Sequence, residues 1–600
     1  MAVLLVTACS DEAVRPADVG GTGSGGAASS TSSGAGAAGP GSVGEGGQGG
    51  GAPVQPLAWE ACPLYVDQPN GTQAECALLD VPLRWSEPEG QTIGVFVQRL
   101  RGTAETIRGQ VWLLEGGPGG SGADWDASME GMRELDPTLD YYAVDHRGVG
   151  RSARLGCPQE DEGTVGGTAI VPGEVEDCLG ALQTQWGDGL AEFSATAAAR
   201  DLGALLDAAA QPGQSAFIIG VSYGTYWAHR YLQLFPAQAQ GVVLDSIAPP
   251  GIDFLHYDTD FNAVGQDFLE LCAADALCAS KLGDPWQALV DLSTALAGGH
   301  CPQLQATWGL DEESLPLVLS ALLVSPQTRT YIPAIIHRLA RCEPADVAAI
   351  SSLLEVVFGG SQEQTYYEAL QSQALFWNVS FGELWPNPGM HPTAAEIDAA
   401  QATVYIGGGL VPSLYAIQDV WPAYPDDAWT NAWATPETPV LMLNGDLDPQ
   451  TPIWLGELAA EHLSGPKQWF VRVPRSAHAT IGKTPKPEGQ EVGCGLEMVL
   501  AFLDDPSKQP STACLASIPE ETFTGDPDLN AYVLGTTDLW ENDAAAVAEA
   551  PLLTRDRAER VVRDARRDIR NVRSGGVRRG AARSPAQRGP QGDAGDSGST

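Results

Sequence analysis

Basic residues are scarce in this 600-residue chain, with 33 Lys and Arg against 76 Asp and Glu and a formal net charge of −43. The shortage is uneven. Twelve of the 33 fall between Arg555 and Arg588, so residues 551–600 carry +6 and the remainder −49. So acidic a body repels phosphate backbones, which excludes nucleic acid as a partner; its charge reads as a solvated, soluble surface. No run of eighteen apolar residues exists to span a bilayer as a helix. No C-x-x-C pair suggests a metal site, and no P-loop Lys-Ser/Thr follows the glycine cluster at residues 116–122. Neither metal nor organic cofactor is therefore expected. Internal repeats are also absent. What is present is length for more than one domain, and 43% hydrophobic residues to fill a sizeable core.

The most informative stretch is Phe217-Ile-Ile-Gly-Val-Ser-Tyr-Gly-Thr-Tyr-Trp-Ala. An apolar, strand-like run enters Gly220-Val-Ser-Tyr-Gly224 and leaves as a helix-like segment to Leu234. G-x-S-x-G between a strand and a helix is the nucleophile elbow of α/β-hydrolases. A side chain held up on a sharp turn needs small neighbours, which Gly220 and Gly224 supply. Ser222 is the candidate nucleophile.

A serine nucleophile needs a base and an orienting acid, in the chain order Ser, Asp or Glu, His. Of eight histidines, His146 precedes Ser222 and His229 lies in the helix after it. A late strand-like run, Val440-Leu-Met-Leu, ends in Asn-Gly-Asp446-Leu-Asp448-Pro-Gln-Thr-Pro. Only His462 and His478 follow. His462 falls in a helix-like segment behind that strand, whereas His478 sits on a loop after Gln468-Trp-Phe-Val-Arg-Val, so topology selects His478 as base. Asp448 is preferred as acid because it lies farther past the strand end; Asp446 and Asp245 are the alternatives. In this division of labour Ser222 attacks, His478 moves the proton and Asp448 steadies the imidazolium.

The strand-like Val111-Trp-Leu-Leu runs into Glu115-Gly-Gly-Pro-Gly-Gly-Ser-Gly. Backbone N–H groups can face a developing oxyanion where side chains do not intrude. Gly117 and Tyr223, the residue after the nucleophile, are the candidate donors.

Four motifs in this order, Gly116-Gly-Pro-Gly-Gly, Asp145-His-Arg-Gly-Val-Gly-Arg-Ser, Gly220-Val-Ser-Tyr-Gly and Asn444-Gly-Asp-Leu-Asp-Pro-Gln-Thr-Pro, resemble the prolyl and tripeptidyl aminopeptidase family of α/β-hydrolases. The resemblance covers roughly residues 57–520 and is strongest to secreted bacterial tripeptidyl aminopeptidases, whose C-terminal segment carries acid and base. It implies a mostly parallel sheet covered by helices, and hydrolysis of short peptides from a free N-terminus. Two departures stand out. Relatives often have His where this chain has Glu115, and Gly-His-Gly where it has Ala477-His478-Ala479.

The remaining chain reads as an exported enzyme. Residues 1–8 resemble a lipoprotein signal remnant ahead of Cys9, the candidate lipid anchor, and would make a lipid the only membrane contact. Residues 9–56 form a tether; 20–53 hold fifteen Gly and six Ser, too few apolar groups to build a core. Ten further cysteines fall in successive close pairs, for which nearest-neighbour disulfides are the simplest connectivity: Cys62 with Cys76, Cys157 with Cys178, Cys272 with Cys278, Cys301 with Cys342, and Cys494 with Cys514. Residues 57–250 read as the first half of the α/β core and 431–545 as the second. A largely helical cap, 251–430, lies between them. Residues 546–600 form an Arg-rich tail with no assigned role.

An exopeptidase must recognise an α-ammonium group, and a carboxylate in a partly desolvated pocket does so. Glu383, among Phe376, Trp377, Phe381 and Trp385, is the candidate. Three functions follow: a serine exopeptidase acting on small peptides, a carboxylesterase or lipase with the same triad, and a non-catalytic binding lipoprotein.

Overall fold

The structure, a computed structural model, describes residues 56–160, 169–358, 369–487, 489–542, 558–559 and 561–563. The signal-like segment, Cys9, the tether up to residue 55 and most of the Arg-rich tail lie outside the described residues.

Among the described residues nine strands form one sheet: β1 (Glu60–Pro63), β2 (Gln73–Pro82), β3 (Thr92–Leu100), β4 (Gly109–Leu114), β5 (Leu139–Val144), β6 (Ser215–Ser222), β7 (Gly241–Ile247), β8 (Val440–Gly445) and β9 (Gln468–Val473). Their spatial order is β1-β2-β3-β5-β4-β6-β7-β8-β9. The first three strands and the β3–β5 pair are antiparallel; from β5 to β9 every pair is parallel. β4 connects onward to β5 on one side, whereas its other neighbour β6 connects to β7 on the opposite side. The carboxyl ends of β4 and β6 therefore meet at the point where the winding reverses, the place where open α/β sheets bind ligands.

Parallel strands covered on both faces should be apolar throughout, and every residue of β4, β5, β7 and β8 is buried. Alternate residues face opposite cores. Trp112, Leu114, Tyr142 and Val144 pack with Leu202 and Leu205 of the helix Ala195–Ala209 and with Trp227 and Tyr231 of the helix Tyr223–Leu234. Val111, Leu113, Tyr141 and Ala143 pack with Met129 and Met132 of the helix Asp126–Leu135 and with Met498 and Phe502 of the helix Cys494–Asp504. Local signals agree with these boundaries: Ser194 caps the helix Ala195–Ala209 by accepting from Ala197 N.

A third core is helical. Phe261, Phe268, Leu319, Ile335, Ile336 and Leu353 form it, between the two halves of the sheet in sequence. Two segments pack differently from the sequence expectation. Residues 373–385 join the sheet core through Phe376, Trp377, Phe381 and Trp385, instead of the helical core. Conversely, Phe523, Leu534 and Trp540 leave the sheet and join the helical core. The short helix Pro527–Leu534 has an apolar side to bury, and it does so against those helices.

Ten cysteines form five disulfides, each joining sequence neighbours: Cys62–Cys76, Cys157–Cys178, Cys272–Cys278, Cys301–Cys342 and Cys494–Cys514. Such a set is that of a protein matured in an oxidising compartment. Among the described residues no helix is long and apolar enough to cross a membrane. Cys301–Cys342 spans 41 residues, the longest of the five separations. Replacing both cysteines by alanine should lower the unfolding free energy by about 2–4 kcal/mol, measured by urea denaturation.

Candidate active site

Ser222 ends β6 with φ 57° and ψ −129°, a conformation an L-residue adopts only when its surroundings enforce it. The enforcement is crowding. A Cβ on Gly220 would run into Gly224 O, and one on Gly224 into Leu114 O at the end of β4. The elbow thus packs directly against the oxyanion loop. Ser222 shares a cavity of about 200 Å³ with Gly116, Gly117, Tyr223 and His478. Gly117 N–H has no bonded acceptor among the described residues, and Tyr223 N–H, first in its helix, has no intrahelical one.

The ring of His478 meets Asp448: Nδ1 lies 2.9 Å from each carboxylate oxygen. Asp448 is fully buried. Its Oδ1 accepts from Gln450 N and Thr451 N (3.0 Å each), and its Oδ2 from Thr451 Oγ1 (2.9 Å). Thr451 Oγ1 also lies 3.2 Å from His478 Nδ1. This hydroxyl was not anticipated, although its place three residues after Asp448 was a visible signal. Burial works against a charged imidazole here. Asp448, with Asp245 and Glu115 adding, outweighs it and holds the His478 pKa above its usual value.

The other acids have different tasks. Asp245, at the end of β7, accepts from Thr480 N (2.9 Å), Thr480 Oγ1 (2.5 Å) and Ile481 N (2.9 Å), fixing the chain just after His478. Burial pushes its carboxyl up to about 6. Asp446 accepts from Arg475 N (2.5 Å), fixing the chain just before His478. Neither has a hydrogen bond to the ring. Ala479, where relatives commonly have glycine, takes φ 67°, and its N–H donates to Ser246 Oγ (2.7 Å). Gly445 is required for closeness: a Cβ there would strike Ser476 O and lie 3.0 Å from Ala477 O.

The remaining histidines are elsewhere. His462 stacks on Trp433, and His229 Nε2 accepts from Ala434 N. His146 contacts the hydroxyl of Tyr223 (3.3 Å), and burial lowers its pKa to about 4. The Asp145 motif is structural: Asp145 Oδ1 accepts from Ser121 Oγ (2.7 Å) and Gly122 N (2.8 Å), pinning the end of the oxyanion loop.

Glu383 requires correction. It does not line the cavity. Its carboxylate is buried and filled: Oε2 accepts from Arg230 Nη2 (2.8 Å) and Tyr226 Oη (2.9 Å), and Oε1 from Tyr424 Oη (2.8 Å) and Ala195 N (3.1 Å). Four donors, one a guanidinium, leave it no capacity for a substrate ammonium. It instead ties residues 380–384 to the nucleophile helix. The carboxylates that do line the cavity are Glu115 and Asp124, with Lys483 on the same wall set. Glu115 was visible as a departure from relatives; nothing local marked Asp124. Among the described residues no cluster of His, Cys, Asp and Glu is arranged to hold a metal.

The family model described as the alpha/beta hydrolase fold matches residues 111–480. The chain is an α/β hydrolase. Tripeptidyl aminopeptidase of Streptomyces lividans is 30% identical to this hydrolase over 249 residues, 38% of this chain and 45% of that relative. Serine protease Hip1 of Mycobacterium tuberculosis (strain ATCC 25618 / H37Rv) is 27% identical over 251 residues, 38% and 46% of the two chains. The hydrolase thus spans about half the length of the curated relatives it matches. Among solved structures, an esterase from Exiguobacterium antarcticum overlays with a TM-score of 0.27 at 11% identity, covering 65% of this chain and 91% of the esterase.

Glu383→Gln tests the correction. It removes the closest counter-charge of the buried Arg230, leaving Asp427 at 4.0 Å, and should cost about 3–5 kcal/mol of stability, read from thermal and urea unfolding. A substrate anchor would instead raise KM with stability unchanged.

Proposed function

We propose that this hydrolase cleaves short peptides from a free N-terminus through an acyl-enzyme. The observation carrying the reading is the buried Asp448 bonded to His478, which faces the same cavity as the strained Ser222. In this mechanism Ser222 Oγ attacks the scissile carbonyl while His478 Nε2 takes its proton. Asp448, bonded to Nδ1, keeps that tautomer and stabilises the imidazolium. The N–H groups of Gly117 and Tyr223 receive the oxyanion, and removing one such donor typically costs about 10²–10³ in kcat. His478 then protonates the leaving amine, and a water activated by the same ring releases the acyl group.

Peptidase action over other acyl transfer is supported by the similarity to the Streptomyces and Mycobacterium enzymes and by the cavity's acidic wall. Glu115 and Asp124, against the single ammonium of Lys483, give the cavity lining a net negative charge that attracts an α-ammonium, beside the apolar walls of Trp125, Phe254, Phe376 and Leu384. Those apolar walls also favour a second reading, a carboxylesterase, because they suit an acyl chain.

Turnover of a tripeptide amide with free and with acetylated N-terminus, beside a short-chain aryl ester, separates the two. The expected result is a strong preference for the free amine; equal rates on the two amides, or ester turnover alone, would refute the peptidase reading. Ser222→Ala should reduce turnover by about 10⁴-fold or more with folding intact. The raised His478 pKa should shift the acid limb of kcat/KM to higher pH than an unperturbed imidazole would give. Glu115→Gln removes one of the charges raising it and should move that limb to lower pH.

A further inference from the structure

Thr451 is 3% exposed and lines the catalytic cavity with Ser222 and His478. Its hydroxyl closes a triangle with the acid and the base. Oγ1 lies 2.9 Å from Asp448 Oδ2 and 3.2 Å from His478 Nδ1, and those two atoms are themselves 2.9 Å apart. The position is fixed from behind. Thr451 N donates to Asp448 Oδ1 (3.0 Å), and Thr451 O accepts from Asn444 Nδ2 (2.9 Å). Asn444, in β8 and fully buried, accepts through Oδ1 from Ile247 N of β7 (2.8 Å). Two neighbouring strands of the sheet thus set where this residue stands.

A threonine hydroxyl has one proton to give and lone pairs to offer. An ionised carboxylate only accepts, and its charge strengthens the bond, so the proton goes to Asp448 Oδ2. The lone pairs of Oγ1 are then left for His478 Nδ1, which has to carry a hydrogen to meet them. That N–H faces three acceptors: Oδ1 and Oδ2 of Asp448, and Oγ1 of Thr451. In the other tautomer a bare Nδ1 would face the same oxygens. It could gain a donor only by taking the threonine proton away from Oδ2. We propose that Thr451 is a positioning residue for the catalytic pair. Its hydroxyl holds Asp448 Oδ2 and presents its oxygen to His478 Nδ1–H, which keeps Nε2 bare for the Ser222 proton. The oxygen counts for more once the ring is charged, because the N–H it faces is then the more polar. The hydroxyl proton stays on Oγ1 throughout. The proposal rests on the triad reading and is the same for amide and ester substrates.

Steady-state kinetics of Thr451→Val, Thr451→Ser and Ser222→Ala in the full chain test this, with thermal unfolding of each. The substrate is whichever of the tripeptide amide and the aryl ester the unmodified chain turns over. Thr451→Val keeps the branched shape and deletes the hydroxyl, whereas Thr451→Ser keeps the hydroxyl and deletes the methyl. Thr451→Val should lower kcat by about 10–100-fold, the loss of a hydrogen bond to a charged group, with KM unchanged. Thr451→Ser should return most of that rate, even if it melts at a lower temperature. A packing role would rank the two variants the other way, and contact with substrate would show as a raised KM in Thr451→Val. Either result, or full kcat in Thr451→Val, overturns the inference and leaves the triad standing when Ser222→Ala is inactive. Turnover surviving in Ser222→Ala would instead overturn the triad reading, and this inference with it.

Discussion

The left-handed backbone at Ser222 is the constraint on which the site depends. Holding a serine at φ 57° costs about 1–3 kcal/mol, and it persists because β4 and β6 are parallel neighbours whose ends converge. Gly224 packs against the carbonyl of Leu114, so the turn that lifts Ser222 is braced by the strand that delivers the oxyanion loop. A single contact therefore sets the distance between nucleophile and oxyanion donors. Asp145 secures the far end of the same loop through Ser121 and Gly122.

The acid and base arrive from the opposite side of the elbow by a comparable device. His478 sits on a loop held before it by Asp446 and after it by Asp245, while Asp448 alone bonds the ring. Three carboxylates thus share the work of placing one imidazole. The bonded one does most to stabilise its charge, and Asp245 adds to it. The helical insertion adds a further tie, because Glu383 reaches across to Arg230 and Tyr226 on the nucleophile helix. Residues 373–385 accordingly pack with the sheet core, and any movement of the insertion has to carry or break that ion pair.

Much of this was legible because it is local. The elbow is five consecutive residues between a strand and a helix; chain order left His462 and His478, and the loop position after a strand separated the second from the first. The reading of Asp448 over Asp446 used only distance past a strand end, and the hydrogen bonds agree with it. Glu383 was illegible for the opposite reason. An acid among aromatics looks the same whether its partner is a ligand or Arg230, and that partner lies 153 residues away in sequence. The destination of residues 523–540 was hidden likewise, since a short amphipathic helix does not state which core it joins. The left-handed Ala479 left no signal beyond the glycine expected there.

Treatment of the active protein with phenylmethanesulfonyl fluoride, followed by mass spectrometry of its peptides, addresses the central claim most directly. The account requires one sulfonyl adduct, on Ser222, forming in step with loss of hydrolysis and absent after His478→Ala. Adduct on a different serine, or loss of activity with Ser222 unmodified, would contradict it.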